Sequence, residues 1–395
     1  MKIAVVGQGY VGLPLSIYAA ENGFQVIGID TDAKKVNELK RGKSVTEDVS
    51  DDRVNKQVLN GRYVVSTEYV DIENAEIVLI CVPTPLTNKH QPDLSILEKS
   101  LHAVARYLKK GTLVVLESTV EPGTTRNFLI PILESGSGLK RDVFEVAFSP
   151  ERIDPHNKIW NLSNTPKIVA GLTPNSRKRA INFYSKFVQH LIECESLEIA
   201  ETAKLLENSY RLINISFINE FSMFCEKLGI DVREVIKAAA TKPYGFMPFY
   251  PSIGVGGHCI PIDPLYLSHK ARELGAPSRF IDLADQINQE MPGYFVGRAE
   301  EKLGGLKDKR VLVVGVAYKP NVADVRETPV TALIGGLKIK GAQVYWHDDL
   351  VKEWNDEKSV DLNVGFDLAI IATLHAYMDL TKLGHTPILD TRGSI

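Results

Sequence analysis

Three glycines near the start of the chain constrain its fold more than any other feature. A short apolar strand, Lys2–Val6, runs directly into Gly7-Gln8-Gly9-Tyr10-Val11-Gly12, and a stretch of helical character follows over residues 13–22. The first glycine allows a tight turn, the second lets a ligand approach the backbone, and the third lets the helix pack closely on the strand. A strand, a glycine turn and a helix in this order predict the first unit of a parallel α/β sheet.

The same segment predicts a dinucleotide site. A second strand, residues 24–29, ends in Asp30, whose carboxylate can accept hydrogen bonds from the hydroxyls of an adenosine ribose. That carboxylate favours NAD over NADP, because a 2′-phosphate would meet a negative charge, although Lys35 is near enough in the chain to weaken the preference and to contact the cofactor itself. The turn residues expected at the cofactor, where the helix N-terminus faces the phosphates, are Gly7, Gly9, Tyr10, Val11 and Gly12.

Further apolar strands follow at residues 63–66, 77–82, 113–117 and 144–148. Small polar residues come directly after two of them, with Thr84 after one and Ser118 and Thr119 after another. Because ligands of doubly wound sheets bind at the carboxyl ends of the strands, these three residues are predicted to touch the nicotinamide half of the cofactor. Ordinary turn chemistry and helix capping explain them equally well.

Length and charge set the frame for the rest. A chain of 395 residues is too long for one hydrophobic core and fits two or three domains. A net charge of -3 offers no electrostatic case for binding nucleic acid or an anionic membrane. The longest apolar run, residues 77–82, is far shorter than the ~20 residues that a membrane helix needs.

The cysteines and the N-terminus bear on location. Cys81, Cys194, Cys225 and Cys259 are widely scattered without CxxC spacing, so we expect neither a disulfide framework nor a metal site. The first strand begins at Lys2, which leaves no room for a signal peptide. The natural expectation is a cytoplasmic protein in a reducing compartment.

A long helix with a polar stripe is predicted over residues 198–227. The stripe residues recur at intervals of three, four and three and therefore share one face; they are Glu201, Lys204, Asn208 and Arg211. Such a stripe is usually a solvated face. Here the flanking positions are heavily apolar, so we expect the helix to be buried nearly all round and the stripe to belong to a site. The apolar positions are Ile199, Ala203, Leu206, Leu212, Ile213 and Phe217.

A cysteine beyond that helix indicates chemistry that a nucleotide fold alone does not. Cys259 is framed by glycines and followed by a carboxylate in Gly256-Gly257-His258-Cys259-Ile260-Pro261-Ile262-Asp263-Pro264, after an irregular loop at 241–251. A thiol in this frame indicates a nucleophile that bonds covalently to its substrate, with a buried structural thiol as the alternative. Two other classes of function stay open: a noncovalent NAD-dependent hydroxyacid dehydrogenase, and a nucleotide-sugar-binding regulatory protein without turnover.

Alternating strands and helices resume towards the C-terminus. Strands are predicted at 310–316, 343–346, 368–372 and 388–390, with a helix at 330–340 and a turn at Gly315 that lacks the full glycine trio. The whole chain is therefore predicted to be α/β, with two Rossmann-like doubly wound domains joined by a central helical segment. The expected boundaries are 1–195, 196–300 and 301–395. If the first domain binds the cofactor, the second is the place for a nucleotide-linked substrate.

Several motifs agree, in order, with one known family. They are residues 7–14 (GQGYVGLP), 82–85 (VPTP), 148–152 (FSPER), Lys204 with Asn208, residues 256–264, and residues 319–326. By these motifs the chain resembles the UDP-glucose/GDP-mannose dehydrogenase family over essentially all of its 395 residues. Residues 90–95 and 239–251 most resemble the UDP-N-acetylhexosamine branch, with N-acetylglucosamine as the expected sugar.

The resemblance implies an NAD-dependent enzyme that oxidises the C6 hydroxyl of a UDP-N-acetylhexosamine to a carboxylate. Two hydride transfers without release of the aldehyde require a covalent hold, and Cys259 would supply it as a thiohemiacetal and then a thioester. The manno and galacto epimers and UDP-glucose remain alternatives to the gluco sugar. The family also implies a homodimer or higher homo-oligomer formed through the long helix.

The resemblance further implies roles for individual residues. Besides Cys259, the implied catalytic residues are Lys204 and Asn208 at the oxyanions, Asp263 in proton handling with an ordered water, Glu151 at the acyl-enzyme water or in proton transfer, and Thr119 through water. Arg326 is implied at the cofactor. The residues expected at the substrate are Glu151, Arg152, Lys204, Asn208, Arg211, Tyr250, Gly256 and Lys319.

Two departures from the family pattern limit this transfer of roles. Ser252 and Ile253 stand where many relatives have a glycine- and proline-rich segment, which weakens the expected substrate contacts of that loop. Pro155 stands where glucose-oxidising relatives carry a second carboxylate, so that role is not assigned.

Overall fold

The computed structural model describes residues 1–154, 157 and 159–393, and the chain divides into two compact units, Met1–Leu206 and Glu207–Ile395. Pro155, the departure noted above, lies outside the described residues. Among the described residues, no helix combines the length and the apolar character needed to cross a membrane.

The first unit contains an eight-stranded sheet with the order β3-β2-β1-β4-β5-β6-β7-β8. Strands β6 and β7 pair antiparallel, whereas the other neighbours are parallel. The strands are β1 Lys2–Val6, β2 Gln25–Ile29, β3 Tyr63–Ser66, β4 Ile77–Ile80, β5 Leu113–Leu116, β6 Glu145–Phe148, β7 Lys167–Gly171 and β8 Leu191–Glu193. The helices are α1 Gly12–Glu21, α2 Ala33–Lys40, α3 Asp51–Leu59, α4 Ser95–Ala105, α5 Ile130–Ser137 and α6 Pro174–Tyr184, with a 3-10 helix at Tyr69–Asn74 and a π-helical turn at Thr125–Leu129.

Alternation along β1 shows why this sheet has helices on both faces. Ile3 and Val5 pack into one apolar cluster, which includes residues of α1. Ala4 and Val6 pack into a second cluster, which includes residues of α4. Because successive side chains of a strand point to opposite faces, a nearly continuous apolar strand is buried only when both faces are covered. This is the doubly wound arrangement predicted from the sequence.

A 32-residue helix, α7 Leu197–Leu228, follows the first sheet. The second unit continues with helices α8 Val232–Ala240, α9 Asp263–Glu273, α10 Arg279–Leu303 and α11 Val330–Ile339, and a 3-10 helix at Leu380–Leu383. Its parallel sheet has the order β10-β9-β13-β14, and a separate hairpin pairs β11 with β12. These strands are β9 Arg310–Val314, β10 Gln343–His347, β11 Glu353–Trp354, β12 Glu357–Lys358, β13 Leu368–Ile371 and β14 Ile388–Asp390.

The burial of α7 corrects one expectation. The polar side chains of Glu201, Lys204 and Asn208 are indeed buried, but the helix is not buried nearly all round. Apolar side chains stand exposed along it, with Leu206 at 62% and Phe217 at 58% exposure. Sequence periodicity identifies opposite faces of a helix, but it does not identify which face is covered, and here the polar face has partners within the protein.

Candidate active site

The turn after β1 is as tight as its three glycines, Gly7, Gly9 and Gly12, lead us to expect. Gly7 has a positive φ of 91° and donates its N–H to the carbonyl of Ile29, at 2.7 Å. A Cβ on Gly12 would lie 1.8 Å from the Gly7 carbonyl oxygen, so this close approach admits only glycine. A Cβ on Gly9 would meet nothing within 4 Å, which leaves open space in front of the backbone at the start of α1. Such a space beside a helix N-terminus fits the pyrophosphate of a dinucleotide.

Asp30 lies at the end of β2, beside this turn. Its carboxylate accepts the N–H of Gln8 at 2.8 Å and that of Asp32 at 3.0 Å. The Lys35 ammonium donates to the same carboxylate at 2.9 Å. The carboxylate is thus held where the ribose of a dinucleotide would lie, which fits NAD. Its pairing with Lys35 reduces the negative charge that would repel a 2′-phosphate, as the sequence led us to expect.

Thr84, Ser118 and Thr119 join the loops that follow β4 and β5. The Thr84 hydroxyl donates to the carbonyl of Thr119 at 2.7 Å, and the Ser118 hydroxyl donates to that of Val82 at 2.6 Å. Both hydroxyl protons are therefore used between the loops. Contact with the nicotinamide stays a prediction for these residues.

Glu201 of α7 binds the loop that follows β5. This side chain is fully buried, and its two oxygens accept the N–H groups of Gly123 at 2.6 Å and Thr125 at 2.8 Å. Burial raises the pKa of Glu201 to about 7, against the opposing effect of those two hydrogen bonds. The stripe on α7 thus has a structural member as well as its predicted catalytic ones, and sequence reasoning assigned Glu201 no such task.

Glu151 follows β6 in a loop held by its own carboxylate. Its Oε1 accepts the N–H groups of Arg152 at 2.6 Å and Ile153 at 2.5 Å. Its Oε2 is buried and has no hydrogen-bond partner among the described residues. The Arg152 guanidinium donates to the carbonyl of Pro166, at 2.8 Å. An unsatisfied buried carboxylate oxygen needs a partner such as a water molecule, which fits a residue expected to act on water.

A buried ion pair, missed at the level of sequence, anchors that loop. Lys167 opens β7 and donates to Glu117 Oε2 at 2.6 Å; the side chains are 7% and 0% exposed. Its ammonium also donates to the carbonyls of Ser149 and Pro150, both at 3.2 Å, immediately before Glu151. Burial raises the pKa of Glu117, and the charge of Lys167 opposes that rise. The only sequence signal was a lysine at the head of an apolar strand.

In the second unit, Asn208 and Asp263 form the centre of the candidate site. The Asn208 amide donates to Asp263 Oδ2 at 2.6 Å, and both side chains are buried. Asp263 begins α9, and its N–H donates to the carbonyl of Cys259 at 2.8 Å. Cys259 is exposed, whereas Cys81, Cys194 and Cys225 are buried. The thiol singled out by its sequence frame is therefore accessible, on a loop that is bonded through the Cys259 carbonyl to the main-chain N–H of Asp263.

The glycines before Cys259 pack on the loop that follows β9. The Gly257 N–H donates to the carbonyl of Arg326 at 3.0 Å. A Cβ on Gly256 would lie 2.6 Å from the Glu327 carbonyl oxygen, and one on Gly257 would lie 2.8 Å from the ring of Tyr318. Glycine is therefore required at both positions by the neighbouring loop. Gly256, predicted at the substrate, has this packing role at least.

The remaining predicted residues differ in exposure. Lys204, one helical turn before Asn208 on α7, is buried, whereas Arg211 is exposed. Tyr250 is 48% exposed, with the Arg233 guanidinium 5.2 Å from its ring centre. Lys319 is half-buried, and Arg326 pairs with Asp324. Their contacts with substrate or cofactor stay predictions.

Comparison with known proteins gives matches in all parts of the chain, from residue 1 to residue 395. Models of the UDP-glucose/GDP-mannose dehydrogenase family match its NAD binding domain to residues 1–188, its central domain to 198–290 and its UDP binding domain to 312–395. The chain belongs to this family. It is an NAD-dependent UDP-sugar dehydrogenase, in which the glycine turn and Asp30 would hold NAD and the C-terminal domain binds the UDP moiety.

Relatives show the range within the family. A UDP-N-acetyl-D-glucosamine 6-dehydrogenase of Pseudomonas aeruginosa is 36% identical, covering 87% of this chain and 82% of the relative. A UDP-N-acetyl-D-mannosamine dehydrogenase of Pyrococcus horikoshii is 35% identical, covering 95% and 90%. The solved structure of a UDP-D-ManNAc dehydrogenase from Pyrococcus horikoshii superimposes with a TM-score of 0.91 at 32% identity, over 99% of this chain and 95% of that one.

Two glycine variants separate folding from cofactor binding. Gly12→Ala is expected to destabilise the first unit by about 1–3 kcal/mol or more, since its Cβ overlaps the Gly7 carbonyl. Gly9→Ala has room for its Cβ within the protein, and is expected to leave the thermal midpoint nearly unchanged while raising the Kd for NAD about tenfold. Thermal unfolding and calorimetric titration with NAD measure the two effects; unchanged NAD affinity in Gly9→Ala would place the pyrophosphate elsewhere.

The buried pair is expected to dominate the stability of the Glu151 loop. Lys167→Met leaves Glu117 buried without its cation and should lower the free energy of unfolding by about 3–5 kcal/mol. The double variant Lys167→Met/Glu117→Gln should recover part of that loss, because no buried charge remains. Lys43→Met, which removes an exposed pair with Asp51, is the control and should change far less in urea denaturation. Equal effects of Lys167→Met and Lys43→Met would contradict the assignment.

Proposed function

We propose that the protein oxidises C6 of a UDP-N-acetylhexosamine to the uronic acid, with UDP-N-acetylglucosamine as the preferred substrate. The observation that carries the proposal is the exposed Cys259 on a loop fixed to the buried Asn208–Asp263 pair. The N-acetylhexosamine class is supported by the names of the relatives, which include both gluco and manno enzymes. The manno and galacto epimers and UDP-glucose are the alternatives that a substrate panel decides.

The covalent steps follow from oxidation of an alcohol to an acid at one site. Two molecules of NAD, bound one after the other, would supply the hydride acceptors, one for each oxidation. The C6 alcohol loses a hydride and a proton to become an aldehyde, and the Cys259 sulfur adds to that carbon to give a thiohemiacetal. Loss of a second hydride, with the hydroxyl proton, gives a thioester. Water then attacks the thioester, and the acid leaves as the thiol regains its proton.

Lys204, Asn208 and Asp263 are assigned the charges that develop at C6. A lysine cation and an amide donor on successive turns of one helix face suit a negative oxygen, particularly where water is excluded, and both residues are buried. Asp263 holds the Asn208 amide by accepting from it at 2.6 Å, so the amide is pre-oriented. Its carboxylate is also the group assigned to proton transfer with an ordered water.

Glu151 is assigned to the water that hydrolyses the thioester, with Thr119 assisting through water. Glu151 Oε2 is the oxygen with no partner among the described residues, and it is therefore available to take a proton. Arg152 and Lys319, with Arg211, Tyr250 and Gly256, are proposed at the substrate, and Arg326 at the cofactor. The division into 1–195, 196–300 and 301–395 and a cytoplasmic location complete the proposal.

A homodimer formed through α7 is part of the same proposal. The helix exposes apolar side chains along its length, namely Ile199, Leu206, Tyr210, Phe217, Phe224 and Leu228. A row of exposed apolar side chains along one face of a helix marks an interaction surface. A second copy of the same helix is a natural partner, because a twofold interface places the same stripe on both sides.

Stoichiometry tests the chemistry. Incubation with a panel of UDP-sugars is expected to yield two NADH per sugar consumed and a uronic acid product, since both hydrides leave the same carbon. The rate is measured by absorbance of NADH and the product by mass spectrometry. Cys259→Ser is expected to form no acid. One NADH per sugar with an aldehyde or ketone product, or undiminished acid formation by Cys259→Ser, would remove sulfur from the mechanism.

The mass of the particle tests the dimer. Light scattering after gel filtration should give twice the chain mass of 43.8 kDa. Phe217→Lys/Phe224→Lys should give the single-chain mass, because two buried charges would oppose each other across the interface. Ile339→Lys changes a residue that is 87% exposed on α11 and serves as the control, expected to keep the wild-type mass. A wild-type particle of single-chain mass would refute the dimer.

A further inference from the structure

The first turns of the two sheets are built alike. After β1, Gly7 donates its N–H to the carbonyl of Ile29 at 2.7 Å, and after β9, Gly315 donates to that of His347 at 2.7 Å. Both glycines have a positive φ, 91° and 83°. The next residue of each turn donates its N–H to an aspartate that follows the second strand of its sheet. These aspartates are Asp30 for Gln8, at 2.8 Å, and Asp348 for Val316, at 2.9 Å.

The two aspartates differ in what else they can bind. Asp348 is fully buried, and its carboxylate also accepts N–H groups from Leu350 at 2.9 Å and Val351 at 3.0 Å, and the Nε2 proton of His375 at 3.0 Å. Burial raises the pKa of Asp348, but His375 and the backbone N–H groups outweigh it and bring the pKa to about 2. Its lone pairs are used within the protein. Asp348, which corresponds to Asp30 of the first sheet, therefore binds groups within the protein.

The other ring nitrogen of His375 shows what the bond to Asp348 orients. Its Nδ1 accepts the N–H of Asn321 at 2.7 Å, so the proton of the neutral imidazole must be on Nε2, where it is donated to Asp348. The Asn321 amide oxygen accepts the N–H of Ala376 at 2.9 Å, which closes a reciprocal link between the two loops. Asn321 has a positive φ of 64°, a conformation that such bonds help to maintain. His375 is 1% exposed.

The loop fixed in this way, residues 318–327, bears directly on the candidate site. It carries Lys319, and it is closed by a hydrogen bond from the Tyr318 N–H to the carbonyl of Asp324 at 3.0 Å. Its Arg326 carbonyl accepts the N–H of Gly257, and its Tyr318 ring lies against the same glycine. One side of the loop is thus tied to His375, and the other supports the segment that leads to Cys259.

We propose that His375, oriented by Asp348, is a positioning residue of the UDP-sugar site: through Asn321 it fixes the loop 318–327, which carries Lys319 to the substrate and supports the glycines before Cys259. The part that concerns Lys319 rests on the proposed function. The link from His375 to the Cys259 loop rests on hydrogen bonds within one unit and stands without it.

Two substitutions separate the hydrogen bond between His375 and Asp348 from the one between His375 and Asn321. In His375→Asn, Oδ1 takes the place of Nδ1 and can accept from Asn321, but no donor reaches Asp348. In His375→Gln, the amide nitrogen takes the place of Nε2 and can donate to Asp348, but the acceptor for Asn321 is lost. The full-length variants are compared by thermal unfolding, calorimetric titration with UDP, and kcat and KM for the UDP-sugar.

The loss of one hydrogen bond that holds the loop should raise the Kd for UDP and the KM about 3- to 10-fold in His375→Gln, with little change in NAD affinity. His375→Asn should stay within about twofold of wild type in UDP affinity, because it keeps the bond to Asn321. Equal UDP affinity in the two variants at comparable thermal midpoints would overturn the proposal.

The tautomer of His375 in the wild type is decisive even if a variant does not fold, and the reactivity of Cys259 in the two variants is decisive even if no UDP-sugar is oxidised. Long-range ¹H–¹⁵N spectra of histidine-labelled wild-type protein should show His375 as the Nε2–H tautomer, and an Nδ1–H tautomer would overturn the proposal. Alkylation of Cys259 by iodoacetamide should be faster in His375→Gln than in His375→Asn, since its supporting loop is released. Identical alkylation rates would separate His375 from the Cys259 loop, whereas absent UDP-sugar oxidation by wild type would refute only the proposed function.

Discussion

The hydrogen bond between Asn208 and Asp263 is the interaction on which the candidate site depends. It joins the middle of α7 to the first residue of α9, and Asp263 in turn fixes the carbonyl of Cys259 through its own N–H. Both side chains are buried, so breaking this hydrogen bond in a low-dielectric setting would cost about 1–3 kcal/mol or more. The bond thereby sets where the cysteine loop begins relative to the helix that carries Asn208.

Buried carboxylates that accept backbone N–H groups hold the loops throughout the molecule. Asp30 holds the glycine turn, Glu201 holds the loop after β5, and Asp348 holds the turn after β9. Glu151 caps its own loop in the same manner. Loops at the carboxyl edge of a parallel sheet lack the regular hydrogen bonds of strands, and a carboxylate satisfies two of their donors at once. These hydrogen bonds therefore hold irregular backbone that strand pairing does not reach.

Most of the fold was predictable, because it depends on sequence patterns among neighbouring residues. The glycine turn, the apolar strands and the 32-residue helix appear in the structure within a few residues of the expected bounds, since periodicity and turn chemistry act over neighbouring residues. Strands β7 and β8 were not predicted. β7 opens with Lys167, a residue that favours solvent, and the carboxylate that pairs with it belongs to Glu117, fifty positions away in the chain.

The same reasoning explains what the sequence could not provide at the site. Asn208 and Asp263 were both proposed, but their contact spans 55 positions and no local pattern contains it. No local sequence pattern marks His375, because its proposed role depends on hydrogen bonds with Asp348 and Asn321, which lie on other loops. The exposed apolar stripe of α7 was expected to be buried, since amphipathic periodicity does not distinguish a face that packs on the same chain from one that packs on another.

The central claim is that Cys259 holds C6 between the two oxidations. Its most direct test is to isolate the covalent adduct of the sugar with the Cys259 sulfur. Glu151→Gln keeps the Oε1 acceptor of its loop but cannot take a proton from the hydrolytic water, so the thioester should accumulate. Protein incubated with UDP-N-acetylglucosamine and NAD, quenched in acid and digested, should yield the Cys259 peptide carrying the mass of the UDP-uronyl group. An unmodified Cys259 peptide, together with continued release of acid and two NADH per sugar, would contradict the account.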